Sequence, residues 1–325
     1  MLRKMGGRHL LAISLLLLTS AVSCLSPNGV DRVAAPYGES TIGYHFKELA
    51  KRIGSSIQGQ QETGLPADEQ VALVEEYFTL TGQIQRHSRE VGDVRAQSNV
   101  TLAALTGQLD WARQRRDLVK PQVETIVSHQ VGDALRQAGL AVALGPKGPD
   151  WFFPPSQFFL LQPPFVLVTS PRDRIEINGS YLLAPQLSTA TIENIEGRAE
   201  AEGVSALVER TGGFSLYPAW VSEDDSLRDT LDTVAHEWSH AYLFLFSPLG
   251  RGYFRDYQMR TINETVADMI GKEVGEAVYQ RYYAPQELPI SPTASSAART
   301  RGAEFAVQMR QIRAAVDGML TQGRV

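Results

Sequence analysis

Residues 236–240 read His-Glu-Trp-Ser-His. On an α-helix, side chains four positions apart share a face with Cβ atoms about 6 Å apart, so His236 and His240 can reach one zinc ion. Glu237 is turned about 100° away from His236. From there its carboxylate can sit beside a metal-activated water without becoming a ligand. Such a group takes the proton as water attacks and later hands it to the leaving amine. The plainer alternative is two histidines that share a helix face and bind nothing.

A third ligand is available downstream, in Arg260-Thr-Ile-Asn-Glu-Thr-Val-Ala-Asp-Met-Ile-Gly271. Two readings compete for Glu264. Thr261-x-x-Glu264 fits a capping box, in which the carboxylate only closes a helix start. Alternatively, Ile262, Val266, Met269 and Ile270 form an apolar stripe, and Glu264 and Asp268 share another face. If that face meets the first helix, Glu264 completes a His₂Glu zinc site with the fourth position left for water. Asp268, one turn on, could then accept the free ring N–H of a ligating histidine.

The paired motifs His-Glu-Trp-Ser-His and Ile-Asn-Glu-Thr-Val-Ala-Asp-Met-Ile-Gly resemble those of the gluzincin metallopeptidases, most closely the thermolysin-like branch. The resemblance covers about forty residues, roughly an eighth of the chain. It implies His236, His240 and Glu264 as zinc ligands, Glu237 as general base and acid, and Asp268 as the partner of a ligating histidine. It also implies a peptide or protein substrate. Two departures stand out. That branch uses a later histidine on the oxyanion, and no histidine follows His240 here. Tyr279, Tyr282 and Tyr283 are candidates for that part because they follow on the ligand-bearing helix, although helix packing explains them equally well. The Gly-Ala-Met-Glu-Asn motif of gluzincin aminopeptidases is also missing.

These side chains need rigid elements to hold them. Leu227, Leu231, Val234, Trp238, Ala241 and Leu245 follow helical spacing away from the two histidines. Asp224, Asp225 and Ser226 supply capping chemistry, so a helix is expected over about 226–246, driving into the core through the apolar run 241–246. A second should run over about 254–282 and a last one over about 297–320. Just before the first lies Gly213-Phe-Ser-Leu-Tyr-Pro-Ala-Trp-Val221, a short strand that could take a peptide by strand addition. Further strands are expected at 165–170 and 174–183, joined near Asp173 as a hairpin, with a helix over 190–209. The Pro- and aromatic-rich stretch 145–165 reads as a loop.

Between about 41 and 144 the spacing predicts three amphipathic helices, carried by Val71–Phe78, by Val100–Trp111, and by Ile126–Leu140 with Pro121 at its start. With no strict heptad persisting there, packing on one another and on the catalytic part is favoured over a coiled-coil partner surface. His45, His87 and His129 stand alone in polar helical stretches and are expected to face solvent.

The chain begins with an address. Arg3, Lys4 and Arg8 precede an apolar run from Leu10 to about Leu18, too short for a membrane span. Ala21-Val-Ser-Cys24 then resembles a bacterial lipobox, and Cys24 is the only cysteine in the 325 residues. The expectation is a signal peptide over 1–23, lipid on Cys24, a tether over 24–40, and an extracytoplasmic protein held on the bacterial membrane; a plain secreted form is the alternative. Loss of the leader takes the formal charge from −5 to −8, leaving 28 basic side chains against 36 acidic. An acidic surface disfavours nucleic acid as a partner, and membrane contact would rest on the acyl chains.

Together these readings specify an α+β fold, mostly helical, with a small sheet beside the His-Glu-x-x-His helix and a second ligand-bearing helix. The domain order is a helical region over 41–144, then a zincin-like metallopeptidase domain over 145–325. The rival is a non-catalytic lipoprotein with a structural zinc site or a partner-binding helical module.

Overall fold

A computed structural model describes residues 29–38, 64–94, 99–140, 154–162, 164–215, 218–253, 257–284 and 292–324. Cys24, the leader and His45 lie outside the described residues, as do 24–28 and 39–40 of the expected tether. Its other ten residues, 29–38, are described, and in place of a plain tether they form a short helix at Gly29–Ala34 with Val30, Val33 and Ala34 buried. Eight helices and two small sheets make up the described chain, the mostly helical α+β class that the pattern specifies. No helix among these residues is long and apolar enough to cross a membrane.

The chain groups into two compact units. One contains residues 42–163 and 211–283, the other 25–41, 164–210 and 284–325. The expected boundary at 144/145 does not coincide with this division. The reason is that the helices before it share an apolar core with the His-Glu-x-x-His helix.

In the first unit, α2 (Ala67–Val94) and α3 (Asn99–Gln137) form an antiparallel hairpin. Leu80, Ile84, Leu109 and Ala112 close its outer end. Val74, Tyr77, Val123, Ile126, Val131 and Leu135 are buried in one cluster with Leu231, Val234 and Trp238 of α5 (Leu227–Phe246) and Val274 and Val278 of α7 (Tyr257–Tyr282). Where two helices were expected over 99–140, one runs through. Pro121 lies inside α3 on its exposed side, so the carbonyl it leaves unpaired faces water while Val119 and Val123 hold the opposite face in the core.

The buried face of α3 also carries charge. Arg116 and Lys120 clamp Glu223, with Lys120 Nζ 2.5 Å from Oε2 and an Arg116 guanidinium nitrogen 3.2 Å from Oε1. Glu124 Oε1 accepts from the Leu160 N–H at 2.8 Å. These bonds tie α3 to a three-stranded sheet in the order β1-β6-β5: β1 (Phe158–Leu161), β5 (Gly213–Phe214) and β6 (Ala219–Ser222). β1 runs parallel to β6, with Phe158 opposite Ala219, and β5 pairs antiparallel to it, with Gly213 opposite Val221. Phe158–Leu161 had read as loop because its flanking prolines mask a run buried on both faces. The expected single strand at 213–221 is instead this short hairpin.

Ser226 starts α5, its Oγ accepting from the Asp229 N–H at 3.2 Å. The helix buries Leu231, Val234, Trp238, Ala241 and Leu243, but its last residue, Phe246, stays 43% exposed rather than entering the core. A short turn, α6 (Pro248–Arg251), leads toward α7.

The second unit holds α1 (Gly29–Ala34), an antiparallel sheet β3-β2-β4, α4 (Thr189–Ala201) and α8 (Pro292–Thr321). The strands are β2 (Phe165–Pro171), β3 (Gly179–Leu183) and β4 (Val204–Arg210). Val30, Val33, Phe165, Leu167, Leu183, Ile195 and Val208 are its core. The helix expected to reach Glu209 stops at Ala201. Gly203 takes φ +88°, a left-handed conformation that ends α4, and the following Val-Ser-Ala-Leu-Val alternates as a strand. The hairpin β2–β3 also begins its second strand later than expected, at Gly179.

Candidate metal centre

The site is made where α5 and α7 cross. The apolar stripe expected to seat α7 is not its buried face: Ile262 and Met269 are half exposed. Asn263, Ala267, Gly271, Val274, Gly275 and Val278 face inward instead. Small residues win because the helices approach closely. A Cβ on Gly271 would stand 2.8 Å from the Asp232 carbonyl oxygen and 3.2 Å from the His236 Cβ; one on Gly275 would stand 2.9 Å from the Asp232 nitrogen.

That approach brings Glu264 to the histidines. His236 Nε2 and His240 Nε2 are 3.0 Å apart, and Glu264 Oε2 is 3.4 Å from each. Among the described residues this is the one group of three or more His, Cys, Asp or Glu side chains placed to hold a metal ion. A triangle of those edges has a circumradius of roughly 1.9 Å, so one point lies about 2.0 Å from all three atoms, the zinc–nitrogen and zinc–oxygen bond length. Glu264 sits in the second turn of α7, which begins at Tyr257, so Thr261 is not the first residue of a capping box.

Both rings are held from behind. Asp268 Oδ1 is 3.0 Å from His236 Nδ1, and Asn263 Oδ1 is 2.6 Å from His240 Nδ1. Those partners are acceptors, so each ring carries its proton on Nδ1 and turns the Nε2 lone pair inward. Two lone pairs and a carboxylate oxygen then point at one another. Only a cation or a shared proton relieves that arrangement, and a metal with nitrogen and oxygen ligands suits it. Without metal, protons fill the role. Burial opposes the charge on His240, yet the Glu264 hydrogen bond and the Glu237 charge together raise its pKa. Burial likewise works to raise Glu264, but its bonds to His236 and His240 carry it well below the usual carboxylate range.

Glu237 is 7% exposed and takes no part in the ligand triangle. Burial raises its pKa, against the pull of His240 and His236. Its carboxylate lies against β5. A Cβ on Gly213 would come 2.5 Å from Glu237 Oε1 and 2.8 Å from Thr233 Cγ2, so this strand position is open to glycine alone. Ser215 Oγ donates to the Glu237 carbonyl at 2.9 Å. In the sheet order, β5 is a terminal strand among the described residues.

No protein-family model matches this chain, and no curated protein or solved structure is significantly similar to it.

Two residues at the centre were missed in the sequence. Asn263, the first residue of the Asn-Glu-x-x-x-Asp pattern, was given no role of its own; its burial (1% exposed) behind His240 follows from the helix crossing, which no local spacing announces. Tyr253 had no signal beyond standing between the two motifs. Its hydroxyl donates to Glu264 Oε1, leaving Oε2 for the histidines. Its ring stands edge-on to His240 at 5.7 Å, with the Arg260 guanidinium 5.4 Å from the ring centre. Burial and the adjacent Glu264 raise its pKa, so the phenol stays protonated as a donor. The tyrosines proposed from the sequence are elsewhere. Tyr279 lies under Arg228 at 3.6 Å, and Tyr283 donates to Gln130. Fifteen residues of helix separate Glu264 from Tyr279, about 22 Å along the axis. Of the lone histidines, His87 is partly covered and 3.0 Å from Glu90, and His129 is exposed.

Proposed function

We propose that the chain is a zinc-dependent peptidase of the gluzincin type, with His236, His240 and Glu264 as ligands. One observation carries the reading: an intact, buried Glu237 stands next to the ligand triangle and against a terminal strand. A structural zinc site has no use for a spare carboxylate there.

A zinc ion bound by the triangle would supply Lewis acidity, polarising a carbonyl oxygen and acidifying a water. The protein's own residues do the rest. Glu237 takes a proton on its carboxylate as water adds to the carbonyl carbon, and returns it to the leaving nitrogen. Burial raises its pKa above the ordinary carboxylate value, the direction that favours a group which must hold a proton before returning it. Asp268 and Asn263 hold the two rings in register, and Tyr253 fixes which oxygen of Glu264 faces inward. β5 offers backbone groups for an extended peptide, whose alignment would bring its scissile bond over Glu237. The lipid-anchored, extracytoplasmic location belongs to the same proposal and rests on the lipobox-like residues before Cys24.

The test compares wild type with Glu237→Gln. Bound zinc is measured in both by elemental analysis, and both are given a mixed peptide library. Zinc in both with cleavage by wild type alone supports the proposal. Zinc in both and cleavage by neither overturns it in favour of a structural metal module.

A further inference from the structure

The second unit begins close to Cys24. α1 starts at Gly29, and its Val30, Val33 and Ala34 share a buried cluster with Phe165, Leu183 and Ile195. Only residues 25–28 stand between Cys24 and this helix. Five peptide steps reach at most about 18 Å, so that is the greatest distance between the Cα atoms of Cys24 and Gly29.

Two contacts along α1 settle which end of the unit receives the link. At its start, the Glu202 carboxylate fills the space that a Cβ on Gly29 would need. Just past its end, the Ala184 N–H donates to the Tyr37 carbonyl at 2.9 Å. Glu202 closes α4 immediately before β4, whose first residue, Val204, pairs with Pro171 at the end of β2. Ala184 follows Leu183, which pairs with Phe165 at the opposite end of that strand. Gly29 therefore lies at the end of the sheet where the chain turns from β2 into β3, and α1 runs away from it.

That turn, residues 172–178, is braced, electrically balanced and partly apolar. Ser170 Oγ donates to the Arg174 carbonyl at 3.0 Å, and the Asn178 N–H to the Thr169 carbonyl at 2.9 Å. Its charges are satisfied within the unit: Arg174 is 3.0 Å from Asp173 and 2.5 Å from Glu176, and Arg172 donates to the Glu200 carbonyl at 2.8 Å. Ile175 and Ile177 stay 37% and 39% exposed.

We infer that this end of the second unit is its membrane-facing surface, with the 172–178 turn resting at the lipid headgroup boundary beside the anchor. The inference rests on the acyl group at Cys24 that the proposed function includes. Even fully drawn out, the link is no longer than the unit, since the thirteen residues of α4 alone span about 20 Å. The end that carries Gly29 is thus held at the bilayer, and the far end meets lipid only if the unit folds back over its own anchor. The turn's balanced charges give it no electrostatic pull toward anionic lipid, so the acyl chains supply the affinity. The exposed isoleucines favour the interface over water and so set the orientation.

The test uses the full chain expressed with its own leader, with acylation of Cys24 read from the mass of the N-terminal peptide. An acylated Cys24 holds its sulfur as a thioether, so Ile177→Cys or Ala190→Cys supplies the one free thiol for an environment-sensitive fluorophore. Ala190 is exposed near the start of α4, about 18 Å along the helix axis from Glu202. In phosphatidylglycerol–phosphatidylethanolamine vesicles with nitroxide on the headgroups, the probe at 177 should be quenched several-fold more than the probe at 190. In the Cys24→Ser chain the probe at 177 should lose that quenching. Equal quenching at 177 and 190 in the acylated chain, or more at 190, overturns the orientation while leaving the anchor in place. Quenching at 177 that persists in Cys24→Ser overturns it as well, because the anchor would then not be what places the turn. An N-terminal peptide without acyl mass overturns the anchor itself, and the inference with it.

Discussion

Gly271 is the position where a single methyl group should disconnect the fold from its metal site. A Cβ there would lie 2.8 Å from the Asp232 carbonyl oxygen and 3.2 Å from the Cβ of His236. Neither atom can swing aside, because one is helix backbone and the other anchors a ring already bonded to Asp268. Restoring an ordinary contact of about 3.4 Å moves α7 outward by roughly 0.6 Å. Glu264 is two turns up the same helix and moves with it. Metal–ligand distances tolerate only about 0.2 Å, so Gly271→Ala should weaken zinc binding by about tenfold to a hundredfold. Stability changes less. Overpacking costs about 1–3 kcal/mol, and the better helix propensity of Ala returns about 1 kcal/mol. The assay is competition for zinc against a chromogenic chelator, with a thermal melt in EDTA beside it. Gly107→Ala is the control, since a Cβ on Gly107 meets nothing within 4 Å. It lies within α3 and should stabilise by about 0.5–1 kcal/mol with zinc affinity unchanged. If Gly271→Ala binds zinc as tightly as wild type, the close crossing does not set the ligand geometry and the reasoning fails.

Three more outcomes are expected. Asn263→Ala removes the acceptor behind His240 and should lower zinc affinity about tenfold or more by calorimetry, with little change in the melt of the metal-free chain. Glu223→Ala takes the nearest counter-charge from buried Arg116 and Lys120, leaving each with one longer contact, to Asp224 and Asp117 at 3.4 Å. It should destabilise by about 3 kcal/mol in urea unfolding, whereas the double change with Lys120→Met should recover part of the loss. Asp232 has its pKa raised to about 6 by burial, with Asp229 and Glu276 adding repulsion. Its folded pKa exceeds the unfolded value, so the folded state binds the extra proton and stability from this group falls as pH rises from about 4 to about 6. Asp232→Asn should therefore raise the melting temperature at pH 7.5 and leave it nearly unchanged at pH 4; an equal shift at both would refute the assignment.

The two motifs and the helices that carry them were legible because both depend on local spacing. His236, Glu237 and His240 are fixed by one helical turn, and Ser226 with Asp229 announces where that helix begins. Which face of α7 would turn inward was not legible, because it depends on the distance to a second helix. Hydrophobicity pointed to Ile262 and Met269, but a close crossing selects Asn263, Ala267 and Gly271 whatever their polarity. The strand at Phe158–Leu161 was hidden for a related reason. Its hydrogen-bond partner, β6, follows nearly sixty residues later, and the prolines around it speak only for the local chain. Tyr253 shows the same limit: its role follows from where the loop after α6 returns to α7. Gly203, by contrast, is a local stop: its left-handed backbone ends α4 where the apolar spacing alone would carry the helix on.

The strand order β1-β6-β5 has a topological consequence. The chain leaves this sheet after Leu161 and re-enters it at Gly212, and the two points flank the same end of β6: the Glu223 N–H donates to the Leu161 carbonyl, and the Ser222 N–H to the Gly212 carbonyl, each at 2.9 Å. Two strand spacings, about 10 Å, separate exit from return. Everything between them, including β2, β3, α4 and β4, is thus a cassette spliced into a gap that a few residues could bridge. Lengthening or exchanging that cassette would leave the register of the strands beside Glu237 untouched, whereas losing it would strip α1 of the core that Val30 and Val33 share with Phe165, Leu167 and Ile195.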